Sequence, residues 1–130
     1  MSKTKKRITF RIEEKNFVAF KKIQVYLSNQ LGKKTNNETF VYLLEQTKEY
    51  LENHHIFSPI ENDEFILKFS KKGNKGAKID NPIIFQILIT EQEKQLFYNI
   101  AFSFANYNII EELSYPAVFE QIIKLNSYNK

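Results

Sequence analysis

Cysteine and tryptophan are absent from the 130 residues, glycine and proline number three each, and histidine two. Without cysteine the chain has no disulfide, no thiolate metal site and no cysteine nucleophile. That absence fits a cytoplasmic protein. The two histidines, His54 and His55, are adjacent, and neighbouring helical residues do not face the same way. Even with Glu52 and Glu61 nearby they predict no metal site. There is no HExxH motif and no Ser-His-Asp arrangement, and the acid pair Glu111 and Glu112 reads as solvated. No enzymatic activity, cofactor or metal is therefore expected. The stretch GNKG, residues 73–76, lacks the spacing and the Lys-Ser/Thr ending of a phosphate-binding loop. No apolar run approaches the roughly 18 residues that a membrane span needs. The start, MSKTKKRITF, has no apolar core or cleavage site of the kind a signal peptide carries.

What is abundant is aromatic: 12 Phe and 7 Tyr, enough apolar surface for one ordinary core at this length. Charge is unevenly placed. Residues 1–50 hold 11 Lys/Arg against 5 Asp/Glu, while residues 51–130 hold 8 against 10. A basic surplus focused at one end points to a polyanionic partner such as nucleic acid. A solubilising tail accounts for the same lysines more simply.

Residues 7–12 alternate strictly and predict a half-buried strand with Ile8, Phe10 and Ile12 inward. Glu13 and Glu14 suit the start of a helix. Phe17, Phe20, Ile23, Leu27 and Leu31 then recur at helical spacing until Gly32. Thr35 and Glu38 have capping-box spacing, and a second helix carries Phe40, Leu43, Leu44, Thr47 and Leu51 on one face. Residues 55–64 read as a connector, 65–69 as a short strand, 70–78 as a basic loop and 83–89 as a more apolar strand. The two strands predict a long-looped hairpin. Thr90 and Glu93 repeat the capping box, Leu96, Phe97, Ile100, Ala101 and Phe104 form a helical face, and Ser114 starts a last helix with Pro116 in its first turn.

The order is strand, helix, helix, an insert, then strand, helix, helix, which predicts an α+β fold. With Ile12 set on Ile89, Phe20 falls on Phe97, Ile23 on Ile100 and Leu27 on Phe104. Phe40, Leu43 and Leu44 meet Phe119, Ile122 and Ile123 when the second turn is two residues longer. Chance coincidence of two amphipathic patterns produces the same match.

A lone strand leaves its backbone groups unpaired, so a partner strand is required, from a second copy or from the same chain. A two-stranded ribbon buries Ile8, Phe10 and Ile12 and turns Arg7, Thr9 and Arg11 outward. Such a ribbon fits the DNA major groove, where Arg pairs with guanine and Thr contacts either a polar base edge or the thymine methyl. RITFRI, EEKNFVAFKKIQVYLSNQLG and KKTNNETFVYLLEQTKEYL together resemble the ribbon-helix-helix family of DNA-binding proteins, over residues 6–52. The resemblance implies that Arg7, Thr9 and Arg11 read bases and that the backbone of Thr35, Asn36 and Asn37, at the start of the second helix, clamps a phosphate. The turn GKKTNN is about one residue longer than the usual turn of that family. Lys3, Lys5 and Lys6 would add phosphate attraction as a basic arm.

The chain thus divides into a DNA-binding unit with its arm (1–54), a connector with a short strand and basic loop (55–82), and a strand-helix-helix segment (83–130). The last is either a degenerate second copy, over 83–128, or an oligomerisation element. Ile84, Gln86 and Leu88 take the outward positions there, and Ile84 and Leu88 predict a strand covered on both faces. Lys71, Lys72, Lys75 and Lys78 could reach flanking phosphates like a wing. The expected partner is double-stranded DNA, bound by a homodimer or pseudo-dimer acting as a transcriptional repressor. An accessory protein of plasmid maintenance or conjugative transfer has the same chemistry. The rival from another class is an antitoxin-like interaction module, with a protein partner on the C-terminal half.

Overall fold

Lys5 pairs with Thr90 and Ile12 with Ile83, so the first strand finds its antiparallel partner within its own chain. The computed structural model describes residues 4–76 and 78–127. In chain order the elements are β1 (Lys5–Ile12), α1 (Glu14–Leu31), α2 (Asn36–Asn53), α3 (Asp63–Lys72), β2 (Ile83–Thr90), α4 (Glu91–Asn106) and α5 (Tyr115–Ser127). The fold is α+β, with one two-stranded antiparallel sheet and five helices among the described residues. None of those helices is long and apolar enough to cross a membrane.

The repeat expected from the sequence is present as strand-helix-helix twice over. Ile8, Phe10 and Ile12 are buried, as are Phe85, Ile87 and Ile89 at the matching positions. Phe20, Ile23 and Leu27 of α1 and Phe97, Ile100 and Phe104 of α4 are buried likewise. Thr35 caps α2, and Ser114 precedes α5 and accepts the Ala117 N–H at 3.2 Å. With Thr35 set on Ser114 the second helices align two residues further on, as the apolar pattern requires. Thr9 pairs with Gln86, its own counterpart, so a local two-fold axis passes through the middle of the ribbon.

The halves interlock. β1 packs on α5 and β2 packs on α2, while α2 lies between α4 and α5. One apolar cluster runs through both, from Phe10 and Phe40 to Phe97 and Phe119.

Residues 65–69 are not a strand. They lie in α3, so β2 forms no hairpin with them and pairs with β1 instead. The Asn62 side chain accepts the Glu64 N–H at 3.0 Å and caps the helix. Asp63 and Glu64 lie at its positive end and Lys71 and Lys72 at its negative end. Phe65 and Phe69, one turn apart, stack with centroids 5.7 Å apart, and Phe69 reaches the core against Tyr98 and Tyr115. Gly73 ends the helix at φ 47°, a conformation that glycine adopts without strain, and turns Asn74 toward β1.

Candidate nucleic-acid interface

In an antiparallel pair, alternate residues aim their backbone groups at the partner strand, and the rest aim theirs off the edge. Thr9 and Arg11 are of the second kind. The Arg11 N–H donates to Asn74 Oδ1 at 2.9 Å, and Asn74 Nδ2 donates to the Thr9 carbonyl at 2.8 Å. On the opposite edge the Leu88 N–H donates to Asn37 Oδ1 at 3.0 Å. Arg11 and Leu88 are counterparts in the repeat, so two asparagines close the two edges at equivalent points. They come from unequal places: Asn37 from the first turn of α2, Asn74 from the turn after α3. The counterpart of Asn37 in α5 is Pro116, which offers no side-chain amide, and the insert supplies one instead.

The ribbon's outer face carries Lys5, Arg7, Thr9 and Arg11 from β1 beside Ile84, Gln86 and Leu88 from β2. Directly opposed are Arg7 and Leu88, Thr9 and Gln86, and Arg11 and Ile84. Arg7 and Arg11 are exposed and Thr9 is half-buried. Ile84 and Leu88 are 56% and 39% exposed, so nothing among the described residues covers the second face of β2, against the sequence expectation. Lys5 and Lys6 belong to β1 rather than to a separate arm, because Thr90 and Ile89 extend the pairing to them. Lys3 lies outside the described residues. Lys5, Lys6, Arg7, Arg11, Lys33 and Lys34 make no ion pair among the described residues; those present engage Lys15, Lys48 and Lys72.

The start of α2 flanks this face. Thr35 Oγ1 accepts the Glu38 N–H at 3.1 Å, and Glu38 Oε1 accepts the Thr35 N–H at 2.9 Å. The Thr35 backbone N–H first, and the Thr35 hydroxyl second, hold the Glu38 carboxyl below its ordinary range. Asn36 Oδ1 accepts from Lys21 Nζ at 2.7 Å. The side chains of Thr35, Asn36 and Asn37 are thus engaged within the chain, Asn37 with β2. What they leave to a ligand are the N–H groups of Asn36 and Asn37 and the positive end of the helix. Arg7, Thr35, Asn36, Asn37, Gln86 and Leu88 line one shallow depression of about 340 Å³, which joins one expected base-reading residue, Arg7, to the expected phosphate-binding residues of α2 and does not include Thr9 or Arg11.

The start of α5 is different. Pro116 has no N–H, the Tyr115 N–H donates to the Gly73 carbonyl at 2.8 Å, and the Ala117 N–H goes to Ser114. Glu13, Glu112 and Glu120 line the depression beside it, together with Lys78. Lys72 sits 3.7 Å from Glu112. Of the wing expected over 70–78, residues 70–72 are the last turn of α3 and 73–76 a tight turn. Lys72 and Lys78 lie among carboxylates; Lys71, Lys75 and Lys78 are exposed, Lys75 next to the asparagine that grips β1.

The sequence did not point to Asn74, whose partners lie 63 and 65 residues away and leave no local mark. The helix around 65–69 was signalled by Asn62, the acidic first turn and Gly73.

The chain matches no protein-family model, no curated protein and no solved structure.

Proposed function

We propose that this chain binds double-stranded DNA sequence-specifically by laying the β1–β2 ribbon in the major groove, as a ribbon-helix-helix protein whose two ribbon strands belong to one chain. The observation that carries this reading is the outer face itself. Arg7 and Arg11 project from it without an acidic partner, and the N–H donors of α2 stand beside Arg7 in the same depression. A two-stranded ribbon matches the roughly 12 Å width of the groove. Arg7 and Arg11 each offer a guanidinium fork to guanine O6 and N7, and Thr9 and Gln86 offer both donor and acceptor at the centre. The α2 start takes a backbone phosphate, with Lys5 and Lys34 adding charge close by.

Groove binding over a promoter blocks transcription, so repression is the use we propose. The same chemistry serves plasmid maintenance or transfer, and the location of the bound site separates the two. The test is fluorescence anisotropy with DNA fragments around the chain's own gene, at two salt concentrations. Wild type is compared with Arg7→Ala/Thr9→Ala/Arg11→Ala, checked for folding by circular dichroism. Wild type should select one fragment, and the variant should lose that selection while staying folded. Each arginine alone should lower specific affinity by about 10- to 100-fold. Equal binding of all fragments by both proteins, or by neither, overturns the reading.

A further inference from the structure

The two strands of the ribbon present unlike chemistry on one face. Across the local two-fold axis Arg7 corresponds to Ile84 and Arg11 to Leu88, so the axis relates a cation to an aliphatic side chain at both ends. A palindromic site offers the same groups to both strands of a ribbon, and this ribbon cannot use them equally. We infer that β2 reads thymine methyl groups through Ile84 and Leu88 while β1 reads guanine, so that one chain recognises a non-palindromic site. This rests on the DNA reading above and states what the apolar strand does in it.

Three observations favour this occupant. Ile84 and Leu88 are exposed, yet each stands directly opposite an arginine, so whatever covers the face must satisfy both kinds of side chain at one spacing. An apolar protein surface would bury two guanidinium groups without acceptors, which is strongly unfavourable. The major-groove floor carries acceptors and methyl groups side by side, because guanine shows O6 and N7 and thymine shows its C5 methyl. Strand addition by another chain is hindered as well, since Asn37 and Asn74 occupy free edge groups on both sides of the ribbon. The flanks share the asymmetry. The α2 start keeps free N–H donors near Lys34, whereas the α5 start has Pro116 and three glutamates. A phosphate is therefore favoured at one end of the site.

The test starts from the full chain and a random double-stranded DNA library. Selection should return a non-palindromic motif containing guanine and thymine. Each motif thymine is then replaced by deoxyuridine, which removes the C5 methyl and keeps the base pair. Wild type should lose roughly fourfold per contacted methyl, the worth of one buried methyl-sized group. Ile84→Ala/Leu88→Ala should bind the thymine site more weakly and should no longer distinguish thymine from uracil there. Both side chains are solvent-exposed, so folding is retained. A specific motif whose affinity is indifferent to the methyl groups overturns this inference and leaves the ribbon reading standing, as does a palindromic motif. No selected motif at all overturns the ribbon reading itself. A chain that self-associates through this face, and is monomeric as Ile84→Ala/Leu88→Ala, also overturns the inference.

Discussion

The ring of Phe40 lies nearly parallel to the ring of its counterpart Phe119, with centroids 6.2 Å apart and planes 9° from parallel. Phe10 packs tilted on both, at 5.5 and 5.1 Å, so the first strand rests on a stacked pair contributed by the two halves. Phe40→Ala and Phe119→Ala are each expected to lower stability by about 3–5 kcal/mol. Because the rings share neighbours, the double variant should lose less than the sum. Urea denaturation of the three variants checks this. Strict additivity would mean that the two sites relax independently.

Asn74 and Asn37 hold the ribbon's edges by side-chain bonds to backbone groups. Asn74→Ala removes two such bonds and Asn37→Ala one. The first is expected to lower stability by about 1–3 kcal/mol and the second by about half as much. Asn37→Asp separates stability from DNA binding. It keeps an oxygen for the Leu88 N–H but puts a negative charge in the depression with Arg7. Stability should change little, while DNA affinity should fall about tenfold or more. Denaturation and anisotropy on the same preparation give both values.

Phosphate contacts should show in the salt dependence. Lys5→Ala and Lys34→Ala are each expected to make the slope of log affinity against log salt shallower by about 1. Lys78→Ala should leave the slope unchanged, because Lys78 lies beside Glu13, Glu112 and Glu120. Anisotropy titrations across a salt series read this directly. Equal slopes for all three variants would remove the α2 start from the contact.

Tyr115 gives the fold an alkaline limit. Burial, then its hydrogen bond with Tyr98, pushes its hydroxyl above the ordinary tyrosine value. A raised folded-state value means that stability is fully present below the unfolded value of about 10 and declines as pH rises above it. Thermal melts from pH 8 to 11 should show that decline. Tyr115→Phe should flatten it, after some loss at neutral pH from the broken Tyr98 bond. An unchanged alkaline slope would place the sensitivity elsewhere.

Much of this fold is written locally. Strand alternation from Arg7 to Ile12, the Thr35–Glu38 and Thr90–Glu93 boxes and Gly32 mark where elements begin and end, and all are short-range signals. The faces of β1 follow from the same alternation. What local pattern does not carry is pairing at a distance. Phe65, Leu67 and Phe69 alternate like a strand, yet the cap at Asn62 and the one-turn spacing of Phe65 and Phe69 prevailed. The grip of Asn74 on β1 and the exposure of Ile84 and Leu88 depend on how the halves interlock, which no window of a few residues contains. That the start of α5 lacks an N–H at Pro116 is legible in the sequence, but its setting beside Glu112 and Glu120 needs the three-dimensional neighbours.

The interlocking of the halves also governs how the chain is made. β1 is synthesised well before its cover, because the strand that pairs with it begins at Ile83 and the helix beneath it at Tyr115. A nascent chain therefore carries Ile8, Phe10 and Ile12 without their native cover until α5 has left the ribosome. Contacts so far apart in sequence also close slowly. Charges set into an apolar strand oppose its association with other copies, and Arg7 and Arg11 alternate with those apolar residues. The side chains proposed to read DNA in the finished protein thus guard the unfinished one.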